Sequence, residues 1–167
     1  MTFTTGTATL ESDMEFAARA KNDLGVELIA SSGIMKFMGR EFMEKFVCLD
    51  AVILDFTEDG LISYIQGKKD GSYKGLIFRR EGNLVESLDK TKRNFSVPVP
   101  RHELFDIPKY RILLARRLPF AEVITSLGCP YSCAFCTAGA YGYKIREVDN
   151  VIDELCYLAE LGVKRIF

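Results

Sequence analysis

An α/β fold is predicted for this chain: an open sheet, then a second α/β unit behind a proline-rich stretch. Three observations predict it. Short apolar runs suited to strands alternate with helical patterns as far as Gly67. One of those runs, Ala51-Val52-Ile53-Leu54, is apolar throughout, as in a strand covered on both faces of a parallel sheet. Four of the five prolines (Pro98, Pro100, Pro108 and Pro119) fall between residues 88 and 119, and a new strand–loop–helix pattern starts directly after them.

The elements follow in order. Ser12 and Glu15 have the spacing of a capping box, so a helix is expected from about Asp13 to Leu24, with Ala17, Ala20 and Leu24 on one face and Gly25 as its left-handed cap. Val26 to Ala30 reads as a strand closed by Ser31-Ser32-Gly33, and Glu41 to Phe46 as a second helix. After the strand at Ala51–Leu54 comes a helix from Glu58 to Gln66, ended by Gly67. Gly75 to Phe78 and Leu84-Val85 flank Glu81-Gly82-Asn83 and read as a hairpin. Beyond the prolines, Ala121 to Thr125 is a strand, residues 128–143 a cysteine-bearing loop, and Val148 to Leu161 a helix. Val148, Ile152, Leu155, Cys156 and Ala159 share one apolar face of that helix. A further strand starts at Val163. Two domains joined by a linker follow: residues 1–88, the linker over 89–119, and residues 120–167. Few parallel strands precede the hairpin, and the strand at Val163 has no following partner. The chain is therefore expected to be an internal piece of a longer protein.

Composition excludes several function classes. At 48% hydrophobic and 27% charged residues, a mainly disordered chain is ruled out. Lys plus Arg total 22 against 23 Asp plus Glu, so no basic surplus argues for a nucleic-acid partner. No apolar run approaches the ~18 residues of a membrane span, and the N-terminal MTFTTGTATLESD has no signal-peptide pattern. A cytoplasmic, reducing location is the resulting expectation.

Three of the five cysteines, Cys129, Cys133 and Cys136, lie in Gly128-Cys-Pro-Tyr-Ser-Cys-Ala-Phe-Cys136. Thiolates bind soft metals, and three on one loop can converge on a single centre. A closed zinc site takes four ligands, usually as two separated pairs, and no second pair exists here. The sole histidine, His102, reads as an exposed linker residue. A [4Fe-4S] cluster suits three thiolates, with one iron left for a small chelating molecule. A zinc-stabilised, non-catalytic interaction module and unliganded thiols are the other readings. Cys48 and Cys156, in apolar surroundings, read as core filler.

The Cys-x3-Cys-x2-Cys run after an apolar strand, with Gly128 before it and Phe135 before the third cysteine, resembles the signature of radical S-adenosylmethionine enzymes. The resemblance implies that residues 120–167 begin a partial TIM barrel. It also implies that the [4Fe-4S] cluster reductively cleaves S-adenosylmethionine to a 5′-deoxyadenosyl radical acting on a small-molecule substrate. The electron would come from a donor such as flavodoxin or ferredoxin. Phe135 would pack near the adenine; otherwise it is a core phenylalanine. A Gly-Gly-Glu-like segment would follow Phe167, so this chain alone is expected to be inactive.

Residues 1–88 resemble the later part of a Rossmann-like cobalamin-binding domain found in many such enzymes. That resemblance places Thr7, Ser31 and Gly33 at cobalamin; ordinary turn and capping chemistry is the other account of them. Ser31-Ser32-Gly33 stands where the family has a Gly-Gly pair, Asp55-Phe-Thr-Glu58 where it has Gly-Glu-Gly-Glu, and its Asp-x-His-x-x-Gly loop is absent. The activities implied are methyl transfer or oxidative cyclisation and rearrangement. A methylthiotransferase is the second enzyme reading; the neutral charge and the N-terminal pattern speak against it.

Overall fold

The structure is a computed structural model describing residues 1–4, 8–67, 73–88, 93–111 and 118–167. It divides into two compact units. Residues 1–91 and 128–142 form the first; residues 92–127 and 143–167 form the second.

The first unit holds a five-stranded sheet with strands in chain order. Its elements are β1 (Thr2–Thr4), α1 (Leu10–Leu24), β2 (Ile29–Ser31), α2 (Met35–Lys45), β3 (Ala51–Ile53), α3 (Gly60–Ile65), β4 (Leu76–Arg80) and β5 (Asn83–Ser87). β1, β2 and β3 are parallel, while β4 and β5 are antiparallel additions at the far side. One sheet face packs Leu28, Ala30, Val52, Leu54 and Ile77 against Met14 and Ala17 of α1 and Met35, Phe42 and Met43 of α2. The other face packs Ile29, Ala51, Leu76 and Phe78 against Leu61 and Tyr64 of α3. Burial on both faces is why Ala51–Leu54 carries no polar residue. Each of these large side chains contributes about 1.5–3 kcal/mol through removal from water. The hairpin turns through Glu81 and Gly82, both at positive φ (51° and 81°), as a two-residue type I′ turn requires.

Several local expectations are corrected. Ser12 does not cap α1. The helix starts at Leu10, because the Asp13 amide closes the first turn on the Thr9 carbonyl at 2.9 Å, and the Ser12 hydroxyl donates to that same carbonyl. Its inward row is Met14–Ala17–Lys21, and Leu24 is exposed. Lys21 reaches Asp50 at 2.7 Å, which ties the helix end to the strand side. α2 begins six residues before its expected start, in the turn at Ser32–Gly33, where the Met35 amide donates to the Ser32 carbonyl. Gly39, a weak helix former, masks this in the sequence. It is there for close packing: a Cβ would stand 3.0 Å from Leu54.

The second unit contains β6 (Asn94–Phe95), β7 (Phe120–Ala121), β8 (Ser126–Leu127), β9 (Lys144–Arg146), α4 (Val148–Glu160) and β10 (Arg165–Ile166). β9 lies between β6 (parallel) and β8 (antiparallel), and β10 pairs in parallel with β7. Of the strand expected over Ala121–Thr125 only Ala121 lies in a strand, the end of β7; residues 122–125 are irregular and β8 follows them. The proline-rich stretch carries structure of its own. Asn150 of α4 both accepts from the Val97 amide and donates to the Val97 carbonyl, each at 3.0 Å. His102 is no exposed linker residue: its side chain is mostly buried, and its Nε2 sits 2.9 Å from Glu154 Oε1. Arg146 pairs with the other oxygen of Glu154 and also bonds Asn150 and the Ile124 carbonyl.

This charged group explains a further correction. The buried positions of α4 are Glu154 and Leu158, whereas Val148, Ile152, Leu155 and Cys156 are exposed. The helix turns its ion-pairing row inward and its apolar row outward. Cys156 is therefore not core filler, while Cys48, half-buried, does pack against the first unit's core. Among the described residues, no helix is long and apolar enough to cross a membrane.

Candidate functional site

The cysteine loop leaves β8 and returns into β9, and it is pinched at its base. Gly128 has φ +77°, and a Cβ there would stand 1.8 Å from the Gly142 carbonyl oxygen; Gly142 itself has φ +66°. Both positions use conformations that L side chains rarely adopt. Higher up, a Cβ on Gly139 would stand 2.6 Å from the Tyr131 carbonyl oxygen. Glycines at these close approaches let the loop pack on itself. Gly128→Ala is therefore expected to unseat the whole loop. Alkylation of Cys129, the half-buried thiol, should rise at least tenfold; an unchanged rate would show that the pinch is unimportant.

Within the loop, Cys133 and Cys136 are exposed, and the Cys136 amide donates to the Cys133 carbonyl at 3.1 Å. Phe135 is 92% exposed, so it is not a core residue. An open cleft of about 550 Å³ runs beside these residues, lined by Cys133, Phe135, Cys136 and Thr137 and, across from them, Ile34 and Phe37 of the α2 entry. Among the described residues, no group of three or more His, Cys, Asp and Glu side chains is gathered tightly enough to hold a single metal ion. A cube asks for less convergence, since each thiolate meets its own iron.

The loop lies against the C-terminal end of β2. A Cβ on Gly33 would be 3.5 Å from the Tyr141 hydroxyl and 4.0 Å from Thr137 Oγ1. Gly33 therefore comes together with the cysteine loop and Ser31 ends β2 two residues before it, whereas Thr7 lies outside the described residues. Lys36 Nζ sits 5.8 Å from the Tyr141 ring centroid and 3.9 Å from Asp55 Oδ2. Asp55 is buried and accepts from the amide and hydroxyl of Thr57. Burial, and then the charge of Asp55, push the Tyr141 phenol pKa up, which keeps it neutral. Sequence reasoning missed Ile34, Phe37, Lys36 and Tyr141. The apolar stretch around Lys36 was the only local hint of a buried cation.

No family model matches the chain. An uncharacterized methyltransferase of Pyrococcus horikoshii is 30% identical over 140 residues, covering 74% of this chain and 28% of that protein. The radical S-adenosylmethionine methyltransferase TsrM of Kitasatospora setae, solved with tryptophan substrate and an S-adenosylmethionine analogue, superposes with a TM-score of 0.57. The match has 18% identity and covers 94% of this chain and 32% of TsrM. TsrM has also been solved with cobalamin and a [4Fe-4S] cluster bound (TM-score 0.56, 19% identity). At these identities TsrM shares the fold. Methylthiotransferases are related too: RimO of Fervidobacterium nodosum, which acts on ribosomal protein uS12, is 34% identical over 86 residues, half of this chain and 19% of RimO. The chain spans about a third or less of the length of each of these proteins.

Proposed function

We propose that the protein is a radical S-adenosylmethionine enzyme in which Cys129, Cys133 and Cys136 hold a [4Fe-4S] cluster and Phe135 packs against S-adenosylmethionine. Ser31 and Gly33, with Thr7, contribute to a cobalamin site. Residues 1–88 supply that Rossmann-like side, 89–119 connect, and 120–167 begin the barrel that carries the cluster. One observation carries this reading: the Cys-x3-Cys-x2-Cys loop packs on the C-terminal end of β2 beside an open cleft, with Ser31 and Gly33 at the same edge. Ligands of open α/β sheets bind outside the carboxyl ends of their strands. The donor set fits the cluster, because the three thiols sit on a self-packed loop and two of them face solvent. The exposed Phe135 ring gives a planar base an apolar face beside those thiols.

When bound, the cluster supplies the one electron that opens the sulfonium of S-adenosylmethionine. This chain's residues hold the thiolates in place, offer the Phe135 ring, and line the cleft with Ile34 and Phe37. The electron comes from a donor of the flavodoxin or ferredoxin type, and the substrate is a small molecule. Methyl transfer through cobalamin is the favoured chemistry, supported by the methyltransferase relatives. The match to RimO favours methylthio transfer as the second reading.

Anaerobic reconstitution of the full-length protein with iron and sulfide tests the proposal. The expected result is about four irons and as many acid-labile sulfides per chain, with brown charge-transfer absorbance. One colourless zinc per chain and no iron would convert the loop into the structural module. Corrinoid retention on gel filtration supports methyl transfer; its failure moves the reading to the methylthiotransferase.

A further inference from the structure

The contact between Tyr141 and Lys36 has a role that the cluster signature does not describe. Lys36 is a nearly buried cation, its side chain only 10% exposed, held between the carboxylate of Asp55, itself 1% exposed, and the face of the Tyr141 ring. These groups come from three places in the chain: α2, the segment after β3, and the 3-10 turn Ala138–Tyr141 that closes the cysteine loop. A buried ammonium needs an opposite charge, and the quadrupole of an aromatic face adds to it at centroid distances up to about 6 Å. Burial keeps the phenol neutral, so the ring carries no charge that would alter this balance. The ring edge bearing the hydroxyl comes within ordinary contact distance of the space over Gly33. The loop therefore has two fixed points: the glycine pinch at its base and Tyr141 seated on the sheet's carboxyl end.

We propose that Tyr141 is a positioning residue, its ring seated over the Lys36 ammonium that Asp55 neutralises, which sets the distance between the cysteine loop and whatever is held at Ser31–Gly33. The inference rests on the cluster reading for its consequence in catalysis, while the anchoring itself belongs to the protein with or without iron. A molecule at the carboxyl end of β2 and a cluster on the loop must stand in register to react. A ring clamped on a buried charge supplies that register from outside the cysteine run. Gly33→Ala should leave Tyr141 seated in the iron-free protein, because its Cβ would make only ordinary contact with the Tyr141 hydroxyl.

Hydrogen exchange of the loop amides over 131–142 in the iron-free, full-length protein is the test. Tyr141→Leu should speed exchange about five- to thirtyfold, the factor expected for losing a cation–π contact of this kind. Tyr141→Phe, which keeps the ring, should leave exchange unchanged. In a Lys36→Met background, the Tyr141→Leu change should add nothing. After reconstitution, Tyr141→Leu should keep the iron content of the unaltered protein but shift the electron paramagnetic resonance line shape of the reduced cluster, which a loss of general stability would not do. Equal loop exchange in Tyr141→Leu and the unaltered protein overturns the inference, as does an undiminished effect of that change in the Lys36→Met background. Absence of iron from the unaltered protein with the exchange pattern intact overturns the cluster reading alone and leaves the anchor standing.

Discussion

Cys133→Ala should abolish cluster assembly, and Cys48→Ala should leave it intact. Cys133 is the middle thiol of the loop, exposed beside the cleft. Its removal leaves two thiolates for a cube that needs three, and a second iron then loses its protein ligand. Cys48 stands on the opposite side of the chain's chemistry: it fills space against the core formed by α1 and α2, and its carbonyl accepts from Lys21 at 2.9 Å. Replacing it with alanine trims a small apolar group and touches no ligand. Iron and acid-labile sulfide in matched anaerobic preparations give the answer. The Cys133 variant should hold almost none, and the Cys48 variant should match the unaltered protein. Cys156→Ala, on the exposed face of α4, serves as a second control. Equal iron in the Cys133 and Cys48 variants would refute the ligand assignment.

The second large effect is on stability. Glu154 accepts from Arg146 with one oxygen and meets His102 with the other, and the Arg146 and Glu154 side chains are only 2% and 3% exposed. Glu154→Ala leaves the guanidinium buried without a counter-charge, at a cost of about 3–5 kcal/mol. Urea titration of the intact protein should show the midpoint falling accordingly. Arg146→Met combined with Glu154→Leu should recover most of the loss, because a matched apolar pair carries no desolvation penalty. A cost below about 1 kcal/mol for Glu154→Ala would mean that water reaches Arg146 and that the network is ornamental. Val97 and His102 are held by the same helix face, so the loss should appear first as faster exchange over residues 94–104.

Local pattern made the central strand and the hairpin legible. The unbroken apolar run at Ala51–Ile53 forecasts a strand buried on both faces, and Glu81-Gly82 forecasts a tight turn. The cysteine spacing was legible because the chemistry depends on residues close together in the chain. The features that escaped have a common cause: their energies come from partners far apart in sequence. An apolar row on α4 says nothing about Arg146 and His102 drawing Glu154 inward instead. A proline-rich stretch reads as a spacer until Asn150 is found bonding Val97 at both of its backbone groups. A glycine at 39 lowers helix propensity, and only the approach of Leu54 explains it. Tyr141 was invisible for the same reason, since its partner Lys36 belongs to a different element.

The pinch at Gly128 and Gly142 has an evolutionary consequence. Two peptide units touching with no side chain between them form a clasp that any single replacement at Gly128 would spring open. Beyond that clasp, the side chains of the tip from Pro130 to Ala138 can vary at positions other than Cys133, Phe135 and Cys136. Descendants of this protein can therefore retune which molecules meet the cleft by rewriting the tip, while the hardware that closes the ring of backbone passes on unaltered.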